Sequence, residues 1–307
     1  MVRKTDVTLP GDYPAPLAAQ IPGVAVHQAY VDRAIEGVAF YDLLDYCAAN
    51  QVNISTVGDT GAGKTMAKRA WCAARGWAYV RIPCNGGFDP DTVFGTTEII
   101  DGETIWTPGL LPLAIEHGRA LIDFDEVNFA PPKMMAVFHG LLDDHGVLIL
   151  NGVAGGTKII PRHPETLISA SWNEDYAGTQ PLNEATKDRL GGITVDWPYL
   201  RSVEESLVGF DFVAVEGAEA EWRTAHALLD VADKLRMAYR EGDLITPVST
   251  RKLQRFVENV IDFGYKFAVT NFVNQFHADE RPKVREYLNK EQTRILTEFG
   301  LEVVATI

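Results

Sequence analysis

The octapeptide GDTGAGKT at residues 58–65 constrains the fold of this chain more strongly than any other segment. It matches the pattern G-x-x-x-x-G-K-[ST] in full, and that pattern forms a phosphate-binding loop (P-loop) between a β-strand and an α-helix. The sequence predicts both flanking elements, because residues 52–57 are rich in β-branched side chains and residues 66–74 have a helical pattern. A glycine-rich turn that binds nothing is the alternative. It is disfavoured because the loop, the Lys-Thr pair and both flanking elements occur together.

Each residue type in this loop suits the binding of phosphate. Glycines allow positive φ, so that successive N–H groups can point inward at phosphate oxygens, and the following helix adds its positive dipole end. We expect Lys64 to reach the β- and γ-phosphates of ATP, and the Thr65 hydroxyl to bind Mg²⁺. The full predicted nucleotide-binding set is Gly58, Asp59, Thr60, Gly61, Ala62, Gly63, Lys64 and Thr65.

A second acidic motif follows further along the chain. Residues 120–124 predict an apolar strand, and Asp125 and Glu126 come directly at its end. Asp125 is expected to help hold Mg²⁺, which takes few protein carboxylates, and Glu126 to orient or deprotonate an attacking water. An acidic pair after a strand can also be a solvated loop. Its position downstream of the P-loop favours the functional interpretation.

Length and pattern predict two folded parts. A chain of 307 residues exceeds one typical core. Strands alternate with helices before about residue 200, which predicts a parallel sheet flanked by helices, whereas helical patterns dominate afterwards. Local patterns predict an Asp-Gly hairpin at 97–106, a second hairpin-like insert around 151–156, and helices at 31–50, 216–241, 249–263 and 282–299. We therefore predict an extended arm at 1–27, an α/β nucleotide-binding domain of the P-loop NTPase class at 28–202, and a small all-helical lid at 203–307.

Charge and cysteine content limit the functional classes. The net charge of −14 argues against a nucleic-acid groove as the main surface. No apolar run reaches the roughly 18 residues of a membrane helix, and the N-terminal segment lacks the apolar core of a signal peptide. The three cysteines lie far apart without metal-ligand spacing, which is typical of reduced thiols. These features predict a cytoplasmic protein that does not associate with membranes.

As a set, these motifs resemble those of the AAA+ ATPases of the MoxR type, whose acidic motif runs D-E-x-N-R-A-P-P. Here Asp125-Glu126 is followed by Asn128 and by Pro131-Pro132-Lys133, while Phe129 replaces the usual Arg. Within this clade the C-terminal part resembles the small AAA+ subunit of cobaltochelatase. The residues that carry this second likeness are Gly264, Phe267, Thr270, Phe272, Asn274, Asp279-Glu280-Arg281-Pro282, Val284 and Glu286-Tyr287.

The resemblance also implies roles for three further residues. Asn173, after the strand at 166–172, resembles the sensor-1 residue, although it could simply cap a loop. Arg251 resembles the sensor-2 arginine that faces the γ-phosphate, although it could be an ordinary basic residue of a helix. Arg189 lies in a segment similar to the one that carries the arginine finger, together with residues 176–179. It could instead pair with an acid on its own helix, and Arg201 is the competing candidate.

The resemblance implies an activity and an assembly. The implied reaction is Mg²⁺-dependent hydrolysis of ATP by a homo-oligomeric ring, expected to be a hexamer, that remodels a partner protein. The partner would be a separate chain with a von Willebrand A-type domain. Three alternatives remain: a motor subunit of a cobalt or magnesium chelatase-like complex, a nucleic-acid translocase, and a non-hydrolysing nucleotide-switched scaffold. Glu126 disfavours the last of these, and the acidic balance disfavours the translocase.

Overall fold

The computed structural model describes residues 13–85, 87–143, 146–173, 182, 184–212 and 219–301. This part of the chain divides into two units. The first holds the residues up to Gly58 together with Lys64–Trp197, and the second holds Asp59–Gly63 together with the residues from Pro198 onward. The predicted domain bounds at 27 and 202 remain predictions, although the division after Trp197 lies close to the second of them.

The first unit contains eight α-helices, a 3-10 helix at Val127–Phe129 and eleven strands within the described residues. Its helices are α1 (Ala15–Ala18), α2 (Val24–Gln28), α3 (Phe40–Asn50), α4 (Lys64–Arg75), α5 (Pro90–Phe94), α6 (Leu110–His117), α7 (Pro132–Leu142) and α8 (Glu184–Leu190). Its strands are β1 (Ala34–Ile35), β2 (Val38–Ala39), β3 (Ile54–Val57), β4 (Ala78–Pro83), β5 (Gly95–Ile100), β6 (Glu103–Pro108), β7 (Ala120–Asp125), β8 (Val147–Val153), β9 (Gly156–Pro161), β10 (Thr166–Trp172) and β11 (Ile193–Asp196).

A five-stranded sheet, entirely parallel, forms the centre of this unit. The strand order is β11-β3-β10-β7-β4, so the P-loop strand and the acidic strand lie on either side of β10. Every residue of β3, β7 and β10 is buried, and their polar residues are small hydroxyl side chains and the two aspartates of β7. Because parallel strands end at the same edge of a sheet, the residues that follow β3, β7 and β10 lie together there.

Two antiparallel hairpins, β5–β6 and β8–β9, extend this unit. Asp101 and Gly102 join the first at φ values of 54° and 85°, as a type I′ turn requires, so the predicted Asp-Gly hairpin is confirmed. The second hairpin turns at Ala154 and Gly155, which also have positive φ. The predicted turn region around residues 151–156 therefore contains the turn.

Two predictions for the N-terminal part were wrong in detail. A helix was expected over residues 31–50, but it begins only at Phe40, because Glu36 and Gly37 form a tight turn with positive φ and pair β1 with β2. The extended arm contains two short helices, α1 and α2, within its described residues. Pro16 lies in the first turn of α1, where a proline is tolerated since its missing N–H has no helical partner.

The second unit has one β-hairpin and five α-helices in its described part. These are α9 (Arg201–Glu204), β12 (Gly209–Phe212), β13 (Glu221–Thr224), α10 (His226–Arg240), α11 (Thr250–Phe263), α12 (Tyr265–Asn274) and α13 (Arg281–Glu298). The prediction of helix from residue 216 was wrong, because residues 221–224 pair with β12. The predicted all-helical lid is therefore wrong in this detail, because the unit also holds the β12–β13 hairpin. The helices predicted at 249–263 and 282–299 are confirmed.

Apolar side chains of α10 to α13 form the core of this second unit, among them Leu228, Phe256, Phe272 and Leu288. Cys47, Cys72 and Cys84 of the first unit are buried free thiols. Across the described residues, the helices are too short or too polar for any one to span a bilayer.

Candidate active site

The P-loop connects the end of β3 to the start of α4, as its sequence predicts. Gly58, Gly61 and Gly63 have φ values of 148°, 74° and 95°, which side chains rarely allow. A Cβ added at Gly58 would lie 2.4 Å from the Trp197 carbonyl oxygen, so that position also lacks room for a side chain. Around Gly63 there is open space instead. The positive φ values and the open space beside Gly63 suit a loop whose N–H groups bind phosphate.

Lys64 links the P-loop to the end of β10. Its ammonium group donates to the Gly58 carbonyl and, at 2.7 Å, to the Asn173 side-chain oxygen. The predicted sensor-1 residue therefore touches the predicted phosphate-binding lysine. Asn128, of the D-E-x-N motif, donates to the Asn173 carbonyl at 2.8 Å and so fixes the backbone there. The sequence pointed to Asn128 through the motif, but not to this contact.

Asp125 is an ionised carboxylate at the end of β7. Ser171 donates to one of its oxygens at 2.5 Å and Arg81 to the other at 2.7 Å. Burial alone would raise the pKa of Asp125, but the Ser171 hydrogen bond and the Arg81 charge outweigh it and the pKa is lowered. Together with the Thr65 hydroxyl, this carboxylate supplies the hard oxygen donors that Mg²⁺ prefers, so these residues fit that ion.

Glu126 has an unusual backbone conformation and a dedicated partner. Its φ of 58° is left-handed, which is uncommon for a residue other than glycine and is concentrated at functional sites. The Asn85 amide donates to its carboxylate. Asn85 follows β4, the neighbour of β7, so the sheet order brings the two side chains together. No local sequence pattern identifies Asn85, Arg81 or Ser171 as site residues, because only the strand order places them beside the acids.

Asp123, two residues earlier on β7, lies in the core and not at the site. Its side chain and that of Lys68 are both 0% exposed and form an ion pair at 2.6 Å. The Tyr79 hydroxyl donates to the second Asp123 oxygen at 2.6 Å. Because all its contacts are buried, Asp123 does not compete with Glu126 for a reacting water.

The two candidates for the arginine finger are held differently. Arg189, on α8, pairs with Asp143 and donates to the Ala185 carbonyl at 3.0 Å. Arg201, in the second unit, is surrounded by three carboxylates at 3.2, 3.0 and 2.8 Å, from Glu205, Asp230 and Asp233. These acids already neutralise Arg201, so Arg189 is the less constrained of the two. Residues 176–179, of the same predicted segment, lie outside the described residues.

Arg251, the predicted sensor-2 residue, is exposed in the first turn of α11. Ser249 caps this helix by accepting a hydrogen bond from the Lys252 N–H. Within the part of the chain that the structure describes, the Arg251 guanidinium forms no ion pair or hydrogen bond.

Comparison with known proteins supports the same assignment. Residues 54–190 match the family model of the AAA domain, dynein-related subfamily. Over 273 residues the chain is 29% identical to the aerobic cobaltochelatase subunit CobS of a Sinorhizobium species, covering 83% of this chain and 77% of CobS. It is also 29% identical to protein NorQ of Paracoccus denitrificans, covering 68% of this chain and 73% of NorQ. Among solved structures, NtrX from Brucella abortus has a TM-score of 0.46 at 16% identity, covering 91% of this chain and 68% of NtrX.

The predicted family resemblance and the predicted P-loop α/β fold are both confirmed by these findings. The matched region begins at β3 and ends at α8, so it contains the P-loop, Asp125, Glu126, Asn173 and Arg189. Residues 54–190 thus match an AAA domain, and over most of its length the chain is similar to CobS and NorQ.

Proposed function

We propose that this protein hydrolyses ATP with Mg²⁺ and uses the energy to remodel a partner protein. The observation that carries the proposal is the contact of Lys64 with Asn173 at 2.7 Å, at the sheet edge where β7 ends with Asp125 and is followed by Glu126. A phosphate-binding cation, a polar sensor and two acids with different environments are the groups that hydrolysis of a phosphoanhydride requires.

Each residue has a distinct role in the proposed reaction. The P-loop N–H groups and Lys64 bind the phosphates, and Asn173 orients the γ-phosphoryl group. Glu126 accepts the proton of the attacking water, whose oxygen bonds to the γ-phosphorus while the bond to the β,γ-bridging oxygen breaks. Asn85 holds the Glu126 carboxylate in place. Thr65 and Asp125 would hold Mg²⁺, which when bound neutralises charge on the phosphate oxygens.

The assembly and the partner are also proposals. Relatives in this clade imply a homo-oligomeric ring, which we expect to be a hexamer, acting on a separate protein with a von Willebrand A-type domain. A second candidate is a motor subunit of a chelatase-like complex. The similarity to CobS over 83% of the chain specifically favours it. Both candidates require ATP hydrolysis by this chain, and they differ in the partner whose addition stimulates it.

Two variants separate binding from chemistry. Lys64→Ala should abolish ATP binding, because it removes the cation on the phosphates, whereas Glu126→Gln should bind ATP normally and lower turnover by about a hundred- to ten-thousand-fold. Calorimetry measures binding and phosphate release measures turnover. Lys187→Ala and Glu165→Gln change exposed residues of the same unit and serve as matched controls. Wild-type ATP affinity in Lys64→Ala would contradict the P-loop assignment, and near-normal turnover in Glu126→Gln would contradict the role of Glu126.

A mixing experiment tests whether the site is shared between subunits. If Arg189 acts on the nucleotide of a neighbouring protomer, Arg189→Ala should bind ATP but hydrolyse about 10³- to 10⁵-fold more slowly. Mixed with Glu126→Gln, it should recover part of the activity, since some interfaces then combine an intact Arg189 with an intact Glu126. Sedimentation confirms that the variants co-assemble. Co-assembled rings without recovery would move the assignment away from Arg189.

A further inference from the structure

Two residues of the second unit contact the central part of the P-loop, which belongs to the same unit. The Tyr199 hydroxyl donates to the Thr60 carbonyl at 2.7 Å. Ser249, the N-cap of α11, lies so close to Gly61 that a Cβ added there would be 2.7 Å from the Ser249 Cβ. The loop peptide at residues 60–61 is therefore held by a tyrosine before α9 and by the start of α11.

A buried arginine connects these two contacts. The Arg236 guanidinium carbon lies 3.7 Å from the centroid of the Tyr199 ring. The same guanidinium donates to both oxygens of Glu204 at 2.7 Å and to the Val248 carbonyl at 2.9 Å. Glu204 in turn accepts from the Thr250 hydroxyl at 2.6 Å. Continuous contacts thus run from the Thr60 carbonyl to the first residue of α11.

The geometry makes this connection stiff. The side chains of Arg236 and Glu204 are 8% and 3% exposed, so their ion pair lies in surroundings of low dielectric constant. A planar guanidinium that binds both oxygens of a carboxylate fixes the orientation of both groups. Its face is at the same time covered by the Tyr199 ring. A shift of Tyr199 therefore cannot be absorbed by a single side-chain rotation, and it is passed to the groups that hold Val248 and Thr250.

We propose that Tyr199, Arg236 and Glu204 form a positioning relay that ties the first turn of α11, and Arg251 within it, to the P-loop peptide at Thr60. The relay rests on the proposed function, in which the P-loop binds ATP and Arg251 contacts the γ-phosphate. The contribution of Arg251 to holding ATP in preference to ADP then depends on the Tyr199 hydroxyl. Because coupling is reciprocal, ATP in the P-loop stabilises the start of α11.

The test is a double-mutant cycle on nucleotide preference, measured by calorimetry in the Glu126→Gln background so that ATP stays intact. Arg251→Ala should lower the ratio of ATP affinity to ADP affinity. Tyr199→Phe keeps the ring over Arg236 and removes only the hydroxyl, and it should lower the same ratio by about three- to tenfold. The combined variant should match Arg251→Ala alone, because both changes remove one interaction. Thr250→Val, at the other end of the relay, should act in the same direction as Tyr199→Phe.

The control is Tyr265→Phe, which removes another hydroxyl that donates to a backbone carbonyl of the same unit, that of Leu288. It should leave the ratio unchanged. Equal weakening of ATP and ADP by Tyr199→Phe, or effects that multiply in the combined variant, would show that the tyrosine only stabilises the fold and would overturn the relay. Loss of ATP binding in the parent protein would instead contradict the proposed function.

Hydrogen exchange gives a readout that does not depend on affinity. The Lys252 N–H, bonded to Ser249 at the start of α11, should exchange more slowly with ATP bound than with ADP bound. This difference should be lost in Tyr199→Phe and kept in Tyr265→Phe. An equal difference in both variants would overturn the relay.

Discussion

Among the described residues, each unit encloses one ion pair in which both side chains are buried, and the two pairs are built differently. In the first unit Lys68 meets Asp123 through a single ammonium contact, and Tyr79 and the Ala170 carbonyl complete the cluster. In the second unit Arg236 binds both oxygens of Glu204 and also contacts the Val248 carbonyl, which precedes α11, and the ring of Tyr199. The contacts of the first pair end within the core of the first unit, whereas those of the second reach the P-loop through Tyr199.

The two buried ion pairs are therefore expected to have different roles. Lys68 joins the helix after the P-loop to the strand that ends at Asp125, so its pair fixes how α4 packs on β7. Removing it should affect folding and leave the preference between nucleotides unchanged. The Arg236 pair should affect both, because its contacts continue to Thr60 by way of Tyr199. Each of the following predictions tests one side of this contrast.

The largest effect is expected for Lys68→Met. It leaves the Asp123 carboxylate buried without a counter-charge, which costs about 3–5 kcal/mol of the free energy of unfolding. Urea denaturation measures the loss. Adding Asp123→Leu should restore much of it, since an apolar pair no longer buries a lone charge. Lys187→Met, which breaks the exposed pair with Glu184 in the same unit, is the control and should cost less than about 1 kcal/mol. A loss as small in Lys68→Met as in the control would contradict the enclosed pair.

A smaller loss, about 2–3 kcal/mol, is expected for Glu204→Gln, because the amide oxygen still accepts one of the two guanidinium hydrogen bonds. The informative measurement is the rise in melting temperature on adding ATP, which reports binding to the folded state. This rise should be reduced in Glu204→Gln and retained in Lys68→Met. The opposite pattern would reverse the roles assigned to the two pairs.

How far the sequence predicted the site depends on whether the contacts are local or set by strand order. The P-loop and the Asp125-Glu126 motif are continuous in sequence, so their residue types identified them. Asn85 and Ser171 reach the acids only because β4 and β10 flank β7, which no local pattern encodes.

Lys68 shows a second limit of sequence analysis. It lies on a helix whose pattern looks half polar, so nothing in its neighbours indicates a buried ammonium. The helix predicted from residue 216 failed for a related reason, since β13 exists through its pairing with β12. Aromatic and threonine residues in these two strands favour a sheet only when a partner strand is present.

Removing one hydroxyl beside each buried pair compares the two pairs directly. Tyr79→Phe removes a donor to Asp123, and Thr250→Val removes a donor to Glu204. Each should cost about 1–2 kcal/mol of unfolding free energy, because each takes a hydrogen bond from a buried carboxylate. Only Thr250→Val should change the ratio of ATP to ADP affinity. Calorimetry on both variants measures this ratio. A changed ratio in Tyr79→Phe would mean that the Lys68–Asp123 pair also influences nucleotide binding.

The smallest effect concerns Glu280, a buried carboxylate of the second unit whose hydrogen-bond donors, among the described residues, are all neutral. The Thr246 hydroxyl donates to it at 2.5 Å, and the N–H groups of Ile245, Thr246 and His277 do so as well. Burial alone would raise the pKa of Glu280, but the Thr246 hydroxyl and these N–H groups outweigh it, and the pKa is lowered. Because the folded-state pKa lies below the unfolded value of about 4.3, Glu280 stabilises the fold above that pH, and the contribution is lost as the pH falls through the folded-state pKa.

Thr246→Val should therefore bring the pKa of Glu280 back toward its ordinary range and destabilise the protein by about 1 kcal/mol at pH 7. The difference from wild type should shrink as the pH falls through the folded-state pKa of Glu280, because protonation removes the charge that the hydroxyl stabilises. Urea denaturation across this pH range measures it. Thr270→Val removes a hydroxyl that donates only to the Lys266 carbonyl of its own helix, and its effect should not vary with pH. If the Thr246→Val difference were equally independent of pH, the hydroxyl would contribute through packing alone. A carboxylate held by neutral donors would then depend on them less than Asp123 and Glu204 depend on their cations.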